Sequence, residues 1–335
     1  MIFMSVFESI GALARSKGIS DIHIQNNSPL RYREAGILKV HEESVPDGFI
    51  EKLLSARLEK DELESFSANG DVDFSLEIGD LRFRVNAFKA SAGSGAVMRL
   101  IASSTPSITE LGLPLAVTRA IENSHGLILV TGATGSGKST SLASMIRYLN
   151  ENYAYNIITI EDPIEFVHNS SSSHIIQRQL GADANSFARS LRAALRQDPD
   201  VILVGELRDV ETISLALTAA ETGHLVLATL HTSTAVGAVT RILDVFPAAQ
   251  QNQVRVQLAQ SLLLVLTQNL HRKIDGSGRV ASFEVLVNTP PVANLIRENK
   301  VYQIENVMQT ARADGMVTMQ NAIQELLSRG IISGE

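Results

Sequence analysis

The chain of 335 residues contains no cysteine. Disulfides and cysteine-ligated zinc sites are therefore excluded, and the absence fits a cytosolic enzyme. The sequence also lacks an excess of positive charge: 29 lysines and arginines against 36 aspartates and glutamates leave a net charge of −7. A general nucleic-acid binder needs a basic footprint to neutralise phosphates, so no nucleic-acid partner is expected. Long apolar runs are missing too. The strongest, at 127–130, 225–230 and 262–266, fall far short of the roughly 18 to 20 residues that a membrane helix needs, so any work at a membrane is expected to be peripheral. Near the start, Phe3, Val6, Phe7, Ile10 and Leu13 recur at helical spacing with no basic segment ahead of them. That pattern reads as an amphipathic helix packed on its own domain rather than a signal peptide. No internal repeat is visible, and nothing of low complexity beyond the serines at 170–173.

What is present is globular. A composition of 44% hydrophobic and 19% charged residues suits packed cores, and the length suits about two domains. Residues 1–103 read as an α+β unit. After the first helix come strands at 21–25, 30–34 and 37–40. A helix at 49–67 follows the turn Pro46-Asp47-Gly48. Strands at 72–77 and 81–90 flank the hairpin signal Gly79-Asp80, and a last strand spans 96–101. The polar stretch Ser103-Ser104-Thr105-Pro106-Ser107 marks a hinge, continued by Leu111-Gly112-Leu113-Pro114, so 104–115 is expected to be a linker. From 116 to 335 the rhythm becomes strand–helix–strand. Continuous apolar runs at 126–131, 156–160, 201–205, 225–230 and 280–287 predict a parallel sheet covered on both faces, the α/β pattern. Helices are expected to close the chain over 248–270 and 290–328.

One motif carries chemistry outright. Gly132-Ala133-Thr134-Gly135-Ser136-Gly137-Lys138-Ser139, followed by Thr140, completes the P-loop pattern. It follows an apolar strand and opens a helix, the setting that separates a real P-loop from a chance match of roughly 1 in 100 for a chain of this length. The glycines allow backbone N–H groups to form an anion nest at a helix N-terminus. Lys138 is placed to meet the β- and γ-phosphates of ATP, and the Ser139 hydroxyl to join a Mg²⁺ shell. A phosphate-cleaving enzyme also needs carboxylates at the carboxyl ends of neighbouring strands. Glu206 ends the buried run 201–205, where a Walker B aspartate commonly stands. Glu161, Asp162 and Glu165 crowd the end of 156–160, with Pro163 between them. Any of these three acids meets the requirement for a base near the γ-phosphate. His224 and His231 bracket 225–230 at an odd offset, which puts them on opposite faces and argues against a shared metal. Arg82, Arg84 and Arg99 precede the hinge; Arg189, Arg192, Arg196 and Arg208 follow it. Arginines of this kind neutralise transition-state charge in many NTPases.

These residues resemble a known family. GATGSGKST, then ITIEDPIEFVH (158–168), SLRAALRQDPDVILVGELRD (190–209) and TAAETGHLVLATLHT (218–232) are similar to the four nucleotide-site boxes of the type II/type IV secretion-system ATPase superfamily. The PilT-like pilus-retraction group is the nearest match within it. ISDIHI (19–24), LRFRVNAF (81–88), AVMRLI (96–101) and NLIRE (294–298) extend the likeness over nearly the whole chain. The resemblance implies a PAS-like N-terminal domain and a RecA-like ATPase domain with nucleotide between them. It further implies a ring homo-hexamer on the cytoplasmic side of an inner-membrane pilus platform protein, pulling pilin from the fibre in twitching-type motility. It puts the catalytic glutamate on Glu165, the Walker B glutamate and Mg²⁺ neighbour on Glu206, the histidine box on His224 and His231, and phosphate contacts on Arg84 and Arg99. Two departures stand out. The cysteine-based zinc element of the extension and secretion ATPases is absent, which favours retraction over protein export. The retraction signature's first arginine is also missing, because Pro291-Val292-Ala293 precedes Asn294. The alternative functions are a secretion ATPase, a non-hydrolysing regulatory ring and, of another class, a nucleic-acid translocase.

Overall fold

The computed structural model describes residues 2–16, 19–34, 37–101 and 105–334; the side chain of Phe3, and Ser103 and Ser104 of the expected hinge, lie outside the described residues. The chain forms two compact units, 1–104 and 105–335.

The first unit is one antiparallel sheet covered by helices. In chain order it contains α1 (Ile2–Arg15), β1 (Ile19–Gln25), β2 (Ser28–Glu34), β3 (Ile37–Val45), α2 (Phe49–Arg57), α3 (Lys60–Asn69), β4 (Asp71–Ile78), β5 (Leu81–Phe88) and β6 (Gly95–Ile101). The strands lie in the order β3-β2-β1-β6-β5-β4. Alternation along β5 buries Phe83 and Val85 and turns Arg82 and Arg84 to the other face. Phe83 and Val85 join Ile22, Ile24, Met98 and, from the helices, Ile10, Phe49 and Leu53 in one core. The single helix expected over 49–67 is two. α2 stops at the extended Leu58, and Glu59 opens α3 with a capping box to Glu62, a new helix start that outweighs the continuing periodicity.

The second unit is a sheet with helices on both faces. Over 105–115, the stretch expected as linker, the chain forms α4 (Ile108–Leu111), whose N-terminus is closed by a capping box between Ser107 and Glu110. Leu113 is buried beside Val117 and Ile121. There follow α5 (Leu115–Ile121), β7 (Gly126–Thr131), α6 (Lys138–Asn152), β8 (Asn156–Glu161), β9 (His174–Gln179), α7 (Phe187–Ala194), β10 (Val201–Val204), α8 (Val210–Glu221), β11 (Leu225–Leu230), α9 (Ala235–Asp244), α10 (Ala248–Ser261), β12 (Leu262–Arg272), β13 (Arg279–Val287), α11 (Pro290–Arg297), α12 (Ile304–Thr310) and α13 (Met319–Ser328). The sheet order is β13-β12-β7-β11-β10-β8-β9. Every neighbouring pair is parallel except β12 with β13. β7 and β11 are buried at every position, and separate cores pack on the two faces.

Two expectations fail here. The helix expected over 248–270 ends at Ser261, and Leu262–Arg272 is a strand; a short, wholly apolar run has no period that separates a buried strand from a buried helix. The run 280–287 is not parallel but the antiparallel edge, paired with β12 from Leu264↔Val287 to Arg272↔Arg279. Over 290–328, where helical stretches with breaks are expected, the chain forms α11, α12 and α13.

Candidate active site

At the end of β7 the chain turns through Gly132, Gly135 and Gly137, with φ of 139°, 78° and 91°. Non-glycine residues rarely enter that region, so the motif's glycines give the loop its curl. Lys138 then opens α6 and is buried, its Nζ donating to the carbonyls of Gly132 (2.8 Å) and Ala133 (3.0 Å). Burial pulls the ammonium below its usual pKa, and the charges of Glu206 and Glu165 oppose that pull. Both carboxylates are therefore within electrostatic reach of the P-loop lysine. The Ser136 hydroxyl is buried and has no hydrogen-bond partner among the described residues. A nest of positive-φ glycines, an ammonium and an unsatisfied hydroxyl together suit a phosphate chain. Ser139 and Thr140 follow in the first turn of α6. The Ser139 hydroxyl and the Glu206 carboxylate are hard oxygen donors of the type Mg²⁺ takes.

Glu206 follows β10 and Gly205. It is anchored through its neighbours: Thr229 Oγ1 donates to the Gly205 carbonyl, and Leu207 N donates to Thr229 O at 3.1 Å. One of its oxygens lies 2.7 Å from Arg208 Nη2 and 3.5 Å from His231 Nε2. Arg208 also reaches within 4.0 Å of Asp162. His231, directly after β11, thus joins the carboxyl edge of the sheet. His224 does not. It precedes β11 at the other end, where its Nδ1 lies 3.0 Å from the Ala219 carbonyl. Arg192 pairs with Glu211 at 2.6 Å, and Arg196 donates to the Arg192 carbonyl.

The three acids after β8 separate by environment. Glu161 is half-buried, and its desolvation pushes the carboxyl up despite donors from Thr159 Oγ1 at 2.6 Å and Gln177 Nε2 at 3.1 Å. Glu165 is exposed. Its loop is pinned to β9 by glutamines: Gln177 donates to Phe166 O at 2.9 Å and accepts from His168 N at 2.8 Å, while Gln179 accepts from Ile164 N at 3.3 Å. Nothing in the sequence alone singled out these glutamines, because β9 itself was not legible. Gln268, in a stretch expected as helix, was missed for a similar reason, and Glu284 although its strand was expected, because its partners lie 35 and 49 residues away. Gln268 contacts the P-loop, and Glu284 accepts from the backbone N–H of Ala235 and of Met319.

In the first unit Arg84 and Arg99 stand directly opposite each other on β5 and β6, and Asp21 is opposite Arg99 on β1. All three therefore share one face of the sheet. Arg99 Nε donates to Asp21 at 2.8 Å, and Arg84 Nε lies 3.5 Å from Asp73. Burial tends to raise the Asp21 carboxyl, but hydrogen bonds from Ser20 and Arg99 hold it below its usual range.

A largely parallel sheet flanked by helices, with a P-loop after β7 and carboxylates after β10 and β8, defines a RecA-like P-loop nucleotide-binding domain, here preceded by a smaller α+β domain. The chain belongs to the Type II/IV secretion system protein family, whose model matches residues 4–333. It is 55% identical to a twitching motility protein of Neisseria gonorrhoeae over 81% of this chain and 72% of that one. It is 44% identical to the type IV pilus retraction ATPase PilT of Pseudomonas aeruginosa over 97% and 94% of the two chains. The crystal structure of the pilus retraction motor PilT with bound ADP superposes with a TM-score of 0.91 at 43% identity, covering 98% of this chain and 94% of that one.

Proposed function

We propose that this chain is a Mg²⁺-dependent ATP hydrolase that powers type IV pilus retraction. The observation that carries the reading is the P-loop itself, a curl of positive-φ glycines around the buried Lys138 ammonium and the buried Ser136 hydroxyl. Likeness to retraction ATPases over most of both chains supports it. Lys138 and the backbone N–H groups of 132–138 neutralise the β- and γ-phosphates. Ser139 and Glu206 would hold Mg²⁺, which would supply neutralisation of the phosphate charge. Glu165 takes a proton from the attacking water. His231 orients Glu206, and Arg84 and Arg99 supply phosphate contacts from the N-terminal domain. The working form is a homo-hexamer on the cytoplasmic face of the inner membrane. It is held there by a pilus platform protein, and residues 104–115 include the hinge on which the two domains turn.

In purified protein, Lys138→Ala is expected to abolish ATP turnover. Glu165→Gln is expected to retain nucleotide binding while turnover falls at least about a hundredfold, within the range of general-base effects. Near-normal turnover by Glu165→Gln removes that residue from the role. In cells, loss of the gene leaves surface pili but no twitching if the protein retracts. Loss of an exported protein with motility intact points to a secretion ATPase instead, and DNA-stimulated turnover points to a translocase.

A further inference from the structure

β12 runs parallel to β7, with Thr267 paired to Thr131 and their hydroxyls 2.9 Å apart. The next residue on each strand is Gln268 and the first glycine of the P-loop. Gln268 is 2% exposed, and both ends of its amide are used. Nε2 donates to the Ser136 carbonyl at 2.5 Å, and Oε1 accepts from the Ser141 hydroxyl at 2.8 Å. A Cβ on Gly132 would stand 2.5 Å from the Gln268 carbonyl oxygen, and one on Gly137 2.9 Å from Nε2. Gln268 therefore lies against the loop at its entry, at its last peptide before α6 and at the first turn of that helix.

We propose that Gln268 is a positioning residue that sets the P-loop for nucleotide. In a planar trans peptide the C=O and the following N–H point in opposite directions. Drawing the Ser136 carbonyl onto β12 turns the Gly137 N–H away from β12, to the side on which an anion nest presents its donors. The Ser136 carbonyl, which can only accept, keeps Nε2 toward the loop, and the Ser141 hydroxyl, donating to Oε1, holds the other end of the amide in place. Without the glutamine this peptide has no partner to hold its orientation. The proposal rests on the reading of 132–139 as the nucleotide site.

The test is binding of a fluorescent adenine nucleotide (mant-ATP) to the full-length protein, with Mg²⁺ and without. Lys138→Ala is the reference: if it binds as tightly as the wild type, the reading of the nucleotide site fails. With that reference in place, Gln268→Met and Gln268→Glu should weaken binding about 10- to 100-fold, the worth of one misdirected donor to a charged acceptor. The increase should appear in KM for ATP with little change in kcat. Thr267→Val removes the neighbouring buried hydroxyl pair without touching the loop and should leave affinity within about twofold, because it keeps every loop contact. Ser141→Ala frees the amide to rotate and should weaken binding by about threefold to tenfold. It decides the matter if the Gln268 variants do not fold. Wild-type affinity in folded Gln268→Met or, failing that, in Ser141→Ala overturns the proposal. So does an equal loss in Thr267→Val, which would assign the effect to strand packing.

Discussion

Arg208 Nη2 and His231 Nε2 approach the same oxygen of Glu206, at 2.7 Å and 3.5 Å. Burial alone would raise the Glu206 carboxyl, but Arg208, through a hydrogen bond and its charge, and His231 after it hold the group below its usual range. A native pKa below the unfolded one stabilises the fold above the unfolded value, near 4.3, and that stability is lost as pH falls through the native value. Arg208→Gln should remove this contribution. Urea unfolding of the two proteins should therefore differ most above about pH 5 and converge toward pH 3. A gap that stays constant with pH would mean that the pair does not set the Glu206 titration.

His168, at the end of the acidic loop, gives a pH dependence of the same sign in a higher pH window. Burial lowers its imidazole to about 4, so the folded protein holds it neutral while the unfolded chain protonates near 6.5. Between those values the unfolded state binds more protons, and stability falls as pH falls from 6.5 to 4. The full effect, about 2.5 pH units at 1.36 kcal/mol each, is about 3–3.5 kcal/mol. His168→Gln should flatten the pH dependence of the unfolding free energy across that window. Equal slopes in wild type and variant would contradict the assignment.

Gln177 ties Glu161, Phe166 and His168 together with one amide. Gln177→Ala should release the loop that carries Glu165 and leave the P-loop untouched. Turnover is expected to fall about 10- to 100-fold through loss of alignment, with KM for ATP nearly unchanged. Gln177→Glu should be at least as damaging at neutral pH, because it sets a second carboxylate against Glu161. A steady-state ATPase assay, set beside the folded fraction measured by circular dichroism, separates this from a general folding defect, which would lower kcat only in proportion to the folded fraction. A rise in KM with kcat preserved would count against the role.

The P-loop was legible in the sequence because its chemistry is local: eight consecutive residues hold the curl, the charge and the hydroxyl. Glu206 and the acids at 161–165 were legible as the ends of apolar strands. The groups that brace them were not. β9 reads HIIQRQ and is partly exposed along its length, so it carries no run of buried residues to mark it, and Gln177 and Gln179 went unnoticed with it. Leu262–Leu266 follows α10 with no proline or glycine between, so helix and strand look alike there and Gln268 fell in an expected helix. Its partners lie 127 and 132 residues away, a pairing that no local pattern encodes. Ala293, where the retraction signature carries its first arginine, is 8% exposed and packs with Val292 and Ile296 in the core. The departure therefore alters an inward-facing position as well as a surface charge.

Glu284 lies directly opposite Thr267 on β13, one residue from Gln268's own pairing. Its carboxylate is 8% exposed; Oε1 accepts from Ala235 N at 2.5 Å and Oε2 from Met319 N at 3.2 Å. Ala235 and Met319 are the first residues of α9 and α13, where backbone N–H groups have no partner within their helix and carry partial positive charge. One side chain thus closes two helix starts, the first of them four residues after His231. Glu284→Ala leaves both donors unpaired and should cost about 3–5 kcal/mol, at roughly 1.5–3 per hydrogen bond to a charged group. For a unit of this size that is a fall of about 10 °C or more in melting temperature. Glu284→Gln keeps one acceptor oxygen and should fall between the two. Thermal unfolding of the full chain, followed by calorimetry, measures the series. A drop below about 2 °C in the alanine variant would show that water or rearranged backbone replaces the carboxylate at both helix ends.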